Sequence, residues 1–83
     1  MKLLYFSWLR QRIGVAEESV SLATDIKTVG DLLIWLRGRS DGHAAALADL
    51  SVVRVAVNQD YARAADPVSD DDEIALFPPV TGG

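Results

Sequence analysis

The residues that invite chemistry lie together at the end of the chain: Pro78-Pro79-Val80-Thr81-Gly82-Gly83. Pro78 and Pro79 have no N–H to give a neighbouring strand and favour an extended backbone, so sheet pairing should stop there. The segment is therefore expected to leave the body as an arm. At about 3.3 Å per residue it spans roughly 20 Å, enough to enter a pocket on another protein. Gly82 and Gly83 carry no side chains and fit a narrow slot. What such an arm offers is the main-chain carboxylate of Gly83, the group expected to carry the function. An ordinary terminus frays, whereas here a stiff Pro-Pro spacer follows the strand-like segment Asp72-Glu73-Ile74-Ala75-Leu76-Phe77 directly.

The rest of the chain offers little competing chemistry. His43, the single histidine, lies beside Asp41 and Gly42 and reads as a solvated loop residue. Asp70-Asp71-Asp72-Glu73 lacks calcium-loop spacing and reads as an acidic turn before a strand. No Ser-His-Asp set, phosphate-binding glycine loop or metal cluster stands out, and no metal is expected. With no cysteine, disulfides and thiolate nucleophiles are excluded. Eight basic and twelve acidic residues give a net charge of −4. Lys2 and Lys27 are the only lysines and the arginines are scattered, which argues against nucleic-acid binding. The apolar start, Leu3 to Leu9, is too short to span a membrane and lacks a signal-type cleavage site, so a cytoplasmic protein is expected. The chain reads as a presenter of its own terminus rather than as a self-sufficient enzyme.

Eighty-three residues allow one small domain with one modest core. Lys2 to Leu9 reads as a first strand, Arg10 to Val15 as a hairpin turn around Gly14, and Glu17 to Ala23 as a second strand with Val20 and Leu22 inward. Thr28 and Asp31 resemble a capping box, and Val29, Leu32, Leu33 and Leu36 then form a helical stripe that ends near Gly38. Residues 40–51 read as a loop with a short helical turn at 44–48. Val52 to Val57 is a strand with Val53, Val55 and Val57 on one side; Asn58-Gln59-Asp60 turns it into a short edge strand, Tyr61 to Ala64. Glu73 to Phe77 is the last strand. This order predicts an α+β, ubiquitin-like β-grasp, with a mixed sheet of four to five strands packed on one main helix. The domain should occupy 1–77, with a flexible, extended tail over 78–83.

The first and last strands are apolar on both faces, although a sheet covered by one helix needs only one apolar face. With Leu3, Tyr5, Ile74 and Leu76 assigned to the core, Phe6 and Phe77 fall on the outer face, joined by Tyr61 and Trp8. Such an exposed aromatic cluster beside the root of the tail reads as a docking patch. Arg10 and Arg12 are placed to pair with acidic groups of a partner, and Trp35 reads as packing.

The ending Glu73-Ile74-Ala75-Leu76-Phe77-Pro78-Pro79-Val80-Thr81-Gly82-Gly83 resembles that of the molybdopterin synthase small subunits. The Val57-Asn58-Gln59 turn, the Phe6-Ser7-x-Leu9-Arg10 start with Gly14, and the Asp70/Asp72-Glu73 run are similar as well. The resemblance implies a sulfur carrier. A ubiquitin-activating-like adenylyltransferase would use ATP to adenylate Gly83, and a donor protein would supply sulfur to make a thiocarboxylate there. Pro78, Pro79, Val80, Thr81 and Gly82 would thread into the large synthase subunit, in a heterotetramer, to build molybdopterin from cyclic pyranopterin monophosphate. Phe6, Tyr61 and Phe77 would form the docking surface, with Arg10 nearby. Catalytic residues would sit on the large subunit, and no cofactor would be bound by this chain. A carboxylate ionised at neutral pH is a poor electrophile, which is why such chemistry requires activation. Two other readings share the fold and the Gly-Gly end: a thiamine-type sulfur carrier, and a protein modifier joined to lysines through Gly83.

Overall fold

The computed structural model describes residues 1–79. Five strands, β1 (Lys2–Tyr5), β2 (Glu17–Ser19), β3 (Arg54–Val57), β4 (Asp60–Ala62) and β5 (Glu73–Phe77), form one sheet in the order β2-β1-β5-β3-β4. Strands β1 and β5 run parallel and all other neighbours antiparallel, so the sheet is mixed. The helices are α1 (Ser7–Ile13), α2 (Val29–Arg37) and α3 (Asp41–Ala46). Sheet and main helix make the ubiquitin-like β-grasp. Its last strand is also its middle strand, hydrogen-bonded on both sides up to the point where Pro78 begins.

The core follows from two periodicities. Helix α2 turns Val29, Leu32, Leu33 and Leu36 inward, and the sheet meets them with Leu3, Tyr5, Val55, Ile74 and Leu76. Each fully buried side chain of this kind contributes about 1.5–3 kcal/mol. The start of α2 is fixed by the expected capping box: the Asp31 N–H donates to Thr28 Oγ1, and the Thr28 N–H donates to Asp31 Oδ2.

Four expectations are corrected. The first strand stops at Tyr5, and the chain turns into α1 instead of continuing to a hairpin turn at 10–15. Alternation alone cannot tell Leu9 on a strand from Leu9 on a helix, because both readings bury it. Spacing decides: Arg12 lies over the Trp8 ring at 4.7 Å, one helical turn on. Gly14 then ends the helix as a left-handed cap (φ 99°), its N–H donating to the Arg10 carbonyl.

The second strand ends at Ser19, not Ala23; the Val20 N–H turns to the Met1 carbonyl, and Val20 and Leu22 pack against the core from outside the strand. Residues 40–51, read as a loop with a short helical turn at 44–48, hold a six-residue helix that begins earlier, at Asp41. Ser40 caps α3 by accepting from the His43 N–H, and Gly42 lets α3 press onto α1, since a Cβ there would lie 2.4 Å from the Arg12 carbonyl.

The β3–β4 hairpin is tighter than expected. Its turn is Asn58-Gln59, both at positive φ (51° and 73°), so β4 begins at Asp60 and covers 60–62, while a 3-10 turn over Leu50–Val52 delays β3 to Arg54.

Candidate functional site

The site is built from the outer face of the sheet around the end of β5. Register places Leu4, Ala75, Ala56 and Tyr61 side by side across β1, β5, β3 and β4. Phe77 follows on the same face, opposite Arg54. Period-two alternation thus puts Leu3, Tyr5, Ile74 and Leu76 under the helix and leaves Phe77 and Tyr61 outside, as the sequence suggests. The Tyr61 and Phe77 rings meet with centroids 5.8 Å apart and planes tilted by 52°. Tyr61 is 80% exposed and Phe6 48% exposed, a costly arrangement for aromatic groups with no partner. The Phe6 N–H donates to the Leu76 carbonyl at 3.1 Å, which fixes Phe6 beside the last turn of chain before the tail. Segment 40–51 packs on α1 and α2 and leaves Phe6 and Tyr61 open.

Of the expected site residues, Phe6, Tyr61 and Phe77 therefore come together around the tail's root. Pro78 and Pro79 are half-buried and continue from β5 without strand pairing. Val80, Thr81, Gly82 and Gly83 lie outside the described residues. Arg10 is exposed on α1 and makes no ion pair among the described residues. Trp8 is corrected: it packs against the core from α1, beneath Arg12, and does not join the outer aromatic patch.

His43 is the largest departure from expectation. It is 6% exposed, not solvated. Its Nε2–H donates to Glu18 Oε2 at 2.6 Å, and its Nδ1 lies 2.7 Å from Ser40 Oγ. The Tyr5 hydroxyl donates to the same Glu18 oxygen at 2.5 Å, and Arg39 Nη2 donates to the other at 2.9 Å. A carboxylate only accepts, so Nε2 carries the proton and, in the neutral ring, Nδ1 accepts from Ser40. Burial works to raise the Glu18 carboxyl, but the hydrogen bonds from Tyr5, His43 and Arg39 outweigh it and hold the group below its ordinary range. Burial first, and the Glu18 hydrogen bond second, push the Tyr5 phenol well above its usual value. Both imidazole nitrogens are committed, so the ring has none to offer a substrate. The cluster ties β1, β2 and α3 together as a fixing device. Ser40 three residues before His43 was the one visible sign of it; nothing in the sequence pointed from His43 to Glu18.

The acidic run serves the turn before β5. Asp72 accepts from Asn58 Nδ2 (2.9 Å) and the Ser69 N–H (2.8 Å), and Asp70 accepts from the Leu22 N–H (2.7 Å). These bonds, the Asn58 side chain's foremost, hold the Asp72 carboxyl below its ordinary range. Asn58 Oδ1 in turn accepts from the Glu73 N–H at 3.0 Å, locking the hairpin turn to the start of β5. Among the described residues, no group of three potential ligands converges as a metal site, and no helix is long and apolar enough to cross a membrane.

A sequence profile of the ThiS family matches residues 3–83. The molybdopterin synthase sulfur carrier subunit of Escherichia coli K12 is 39% identical over 83 residues, covering 100% of this chain and 99% of that protein. The protein of the same name from Haemophilus influenzae is 36% identical, again covering 100% and 99%. In three dimensions the chain is similar to Haloferax volcanii small archaeal modifier protein 1, with a TM-score of 0.76, 30% identity, and 96% and 97% of the two chains covered.

Proposed function

The chain belongs to the ThiS family, and we propose that it works there as the sulfur-carrier subunit of molybdopterin synthase. The observation that carries this reading is the position of β5: the strand that feeds the Pro-Pro-Val-Thr-Gly-Gly segment is the middle strand of the sheet, with open aromatic groups around its end. A rigid root and an apolar collar suit a tail that must be pushed into another protein's pocket. In this proposal Gly83 is the reactive residue. Its carboxylate attacks ATP on a ubiquitin-activating-like adenylyltransferase, releasing pyrophosphate and leaving an acyl adenylate. A donor protein's persulfide attacks the acyl carbon and expels AMP. Thiols, themselves oxidised to a disulfide, then reduce the resulting acyl disulfide, leaving the thiocarboxylate on Gly83 and the donor's sulfur as a thiol. Pro78 to Gly82 then thread into the large subunit, where the Gly83 thiocarboxylate gives its sulfur to cyclic pyranopterin monophosphate and water supplies the oxygen that returns it to a carboxylate.

The chain binds no cofactor of its own in this scheme, and the acids and bases of the reaction belong to the large subunit. Phe6, Tyr61 and Phe77 seat the two subunits together, with Arg10 at the margin, in a cytoplasmic heterotetramer. Burying such aromatic anchors in a partner pocket supplies most of an interface's affinity.

Intact-mass analysis after incubation with the activating enzyme, ATP and a sulfur donor tests the reading. The expected result is a chain heavier by the difference between sulfur and oxygen, lost again on addition of the large subunit and the pterin substrate. A chain of unchanged mass in the presence of competent partners overturns it. Similarity to a small archaeal modifier protein supports a second reading, a protein modifier, for which the same experiment in cell extract would yield adducts of Gly83 on lysines.

A further inference from the structure

Arg54 is a charge set into the apolar face at the tail's root. It stands opposite Phe77 across β3–β5, two positions along β3 from Ala56, which pairs with Tyr61. Its Nη1 donates to the Ser51 carbonyl at 2.9 Å and to the Val53 carbonyl at 3.3 Å, which holds the side chain in place. Among the described residues its Nε and Nη2 find no acceptor and no carboxylate pairs with it. The same arginine lines a groove of about 600 Å³ between α2 and the β3–β4 hairpin, together with Val29, Leu33, Ala62, Tyr61 and Phe77. Groove and aromatic face are thus one continuous surface, sharing Arg54, Tyr61 and Phe77.

A partner that covers Phe77 and Tyr61 also covers this guanidinium. Taking an unpaired charge out of water opposes binding strongly, so a stable complex has to bring an acceptor to it. The free Nε and Nη2 of a planar guanidinium match the two oxygens of a carboxylate, whereas a lysine would offer only a point charge. We infer that the docking face extends into this groove and that Arg54 selects a segment of the large subunit that lays an apolar side chain into the groove beside an Asp or Glu carboxylate. The inference rests on the sulfur-carrier reading and adds to it the chemistry of the partner's contact segment.

Calorimetric titration of the full chain with its synthase large subunit, at low and at high salt, tests this with three variants. Arg54→Glu should bind at least about 30-fold more weakly than the parent. Arg54→Gln should weaken binding less and lose most of its salt dependence, a change that a merely structural role would not produce. Ala64→Trp, an exposed position that lines the groove, should weaken binding about tenfold by filling it. Thermal melting of each variant checks that it folds; should Ala64→Trp fail to fold, the two Arg54 variants still decide the charge pairing. Parent-like affinity in Arg54→Glu, or parent-like affinity in a folded Ala64→Trp, overturns the inference and leaves the carrier reading standing. Failure of the parent itself to bind overturns both, and the mass change at Gly83 separates that case.

Discussion

The end of β5 and the Glu18–His43 cluster invert each other. Around Phe77 the molecule leaves aromatic side chains in water, while around Glu18 it encloses a carboxylate, an imidazole and a phenol. Each is disfavoured unless something satisfies it. The cluster satisfies itself, since every polar group has a partner within the fold, and so its natural role is to fix β1, β2 and α3. The aromatic collar is satisfied by nothing within the described chain, and this is the feature on which the proposed docking surface rests. Completeness separates the part that holds the structure from the part proposed to meet a partner.

This contrast can be broken most severely at the tail. Adding one residue after Gly83 should abolish sulfur transfer, a loss of at least about 100-fold, while the melting temperature stays within about 2 °C of the parent. Transfer at the parent rate would remove the terminal carboxylate from the mechanism. The next largest effect is expected of Phe77→Ala. Loss of an interface anchor should weaken binding to the large subunit by about 2–4 kcal/mol, against about 1 kcal/mol of fold stability for a half-buried aromatic on a strand. If stability falls more than affinity in paired titration and denaturation experiments, Phe77 is a core residue and the collar is not a collar.

Helix α2, with its capping box, was legible in the sequence, and so was the strand Glu73–Phe77 with its burial pattern. Both are dense in local signal: an i, i+3, i+4 stripe in one, alternation bounded by Pro78 in the other. The outward-facing pair Tyr61 and Phe77 was legible for the same reason, because parity follows from alternation once the core side is chosen. Helix α1 was not. Leu3-Leu4-Tyr5-Phe6 and Trp8-Leu9 form one apolar run, and the break falls at Ser7, whose positive φ of 57° no residue type announces. In the sequence Gly14 suits a hairpin turn as well as the helix cap it forms, since both roles require the same left-handed backbone. The burial of His43 is not legible in the sequence, because its partner lies 25 residues away on β2 and a single carboxylate at that distance carries no local mark.

The enclosed side of the contrast can be probed through Gly42. A Cβ at this position would lie 2.4 Å from the Arg12 carbonyl and 3.2 Å from Ile13, so Gly42→Ala must push α3 away from α1 and drag His43 with it. Overpacking of this kind costs about 1–3 kcal/mol. Chemical denaturation should show that loss, while the affinity of the still-folded protein for the large subunit stays at the parent value, because α3 lies away from the collar. A loss of affinity without a loss of stability would mean that α3 belongs to the docking surface.

The smallest effect expected is the pH dependence of the cluster. Glu18 has a folded value held below its unfolded one by Tyr5, His43 and Arg39. The folded state therefore binds fewer protons through this group than the unfolded chain does, and it gains stability as pH rises through the carboxylate range. That gain is complete above the unfolded value of about 4.3 and fades as pH falls through it toward the lower folded value. Asp31, Asp49 and Asp72 are shifted in the same direction, so the parent's acid sensitivity is a sum over several groups. Glu18→Gln isolates one share of it, because the amide oxygen still accepts from His43 but no longer titrates. Melting temperatures of parent and variant should differ most at neutral pH, and the gap should narrow as pH falls through the carboxylate range toward the lowered folded value. A constant gap across that range would mean that Glu18 stabilises the fold through its shape and hydrogen bonds alone, and that its charge contributes nothing to the enclosed side of the molecule.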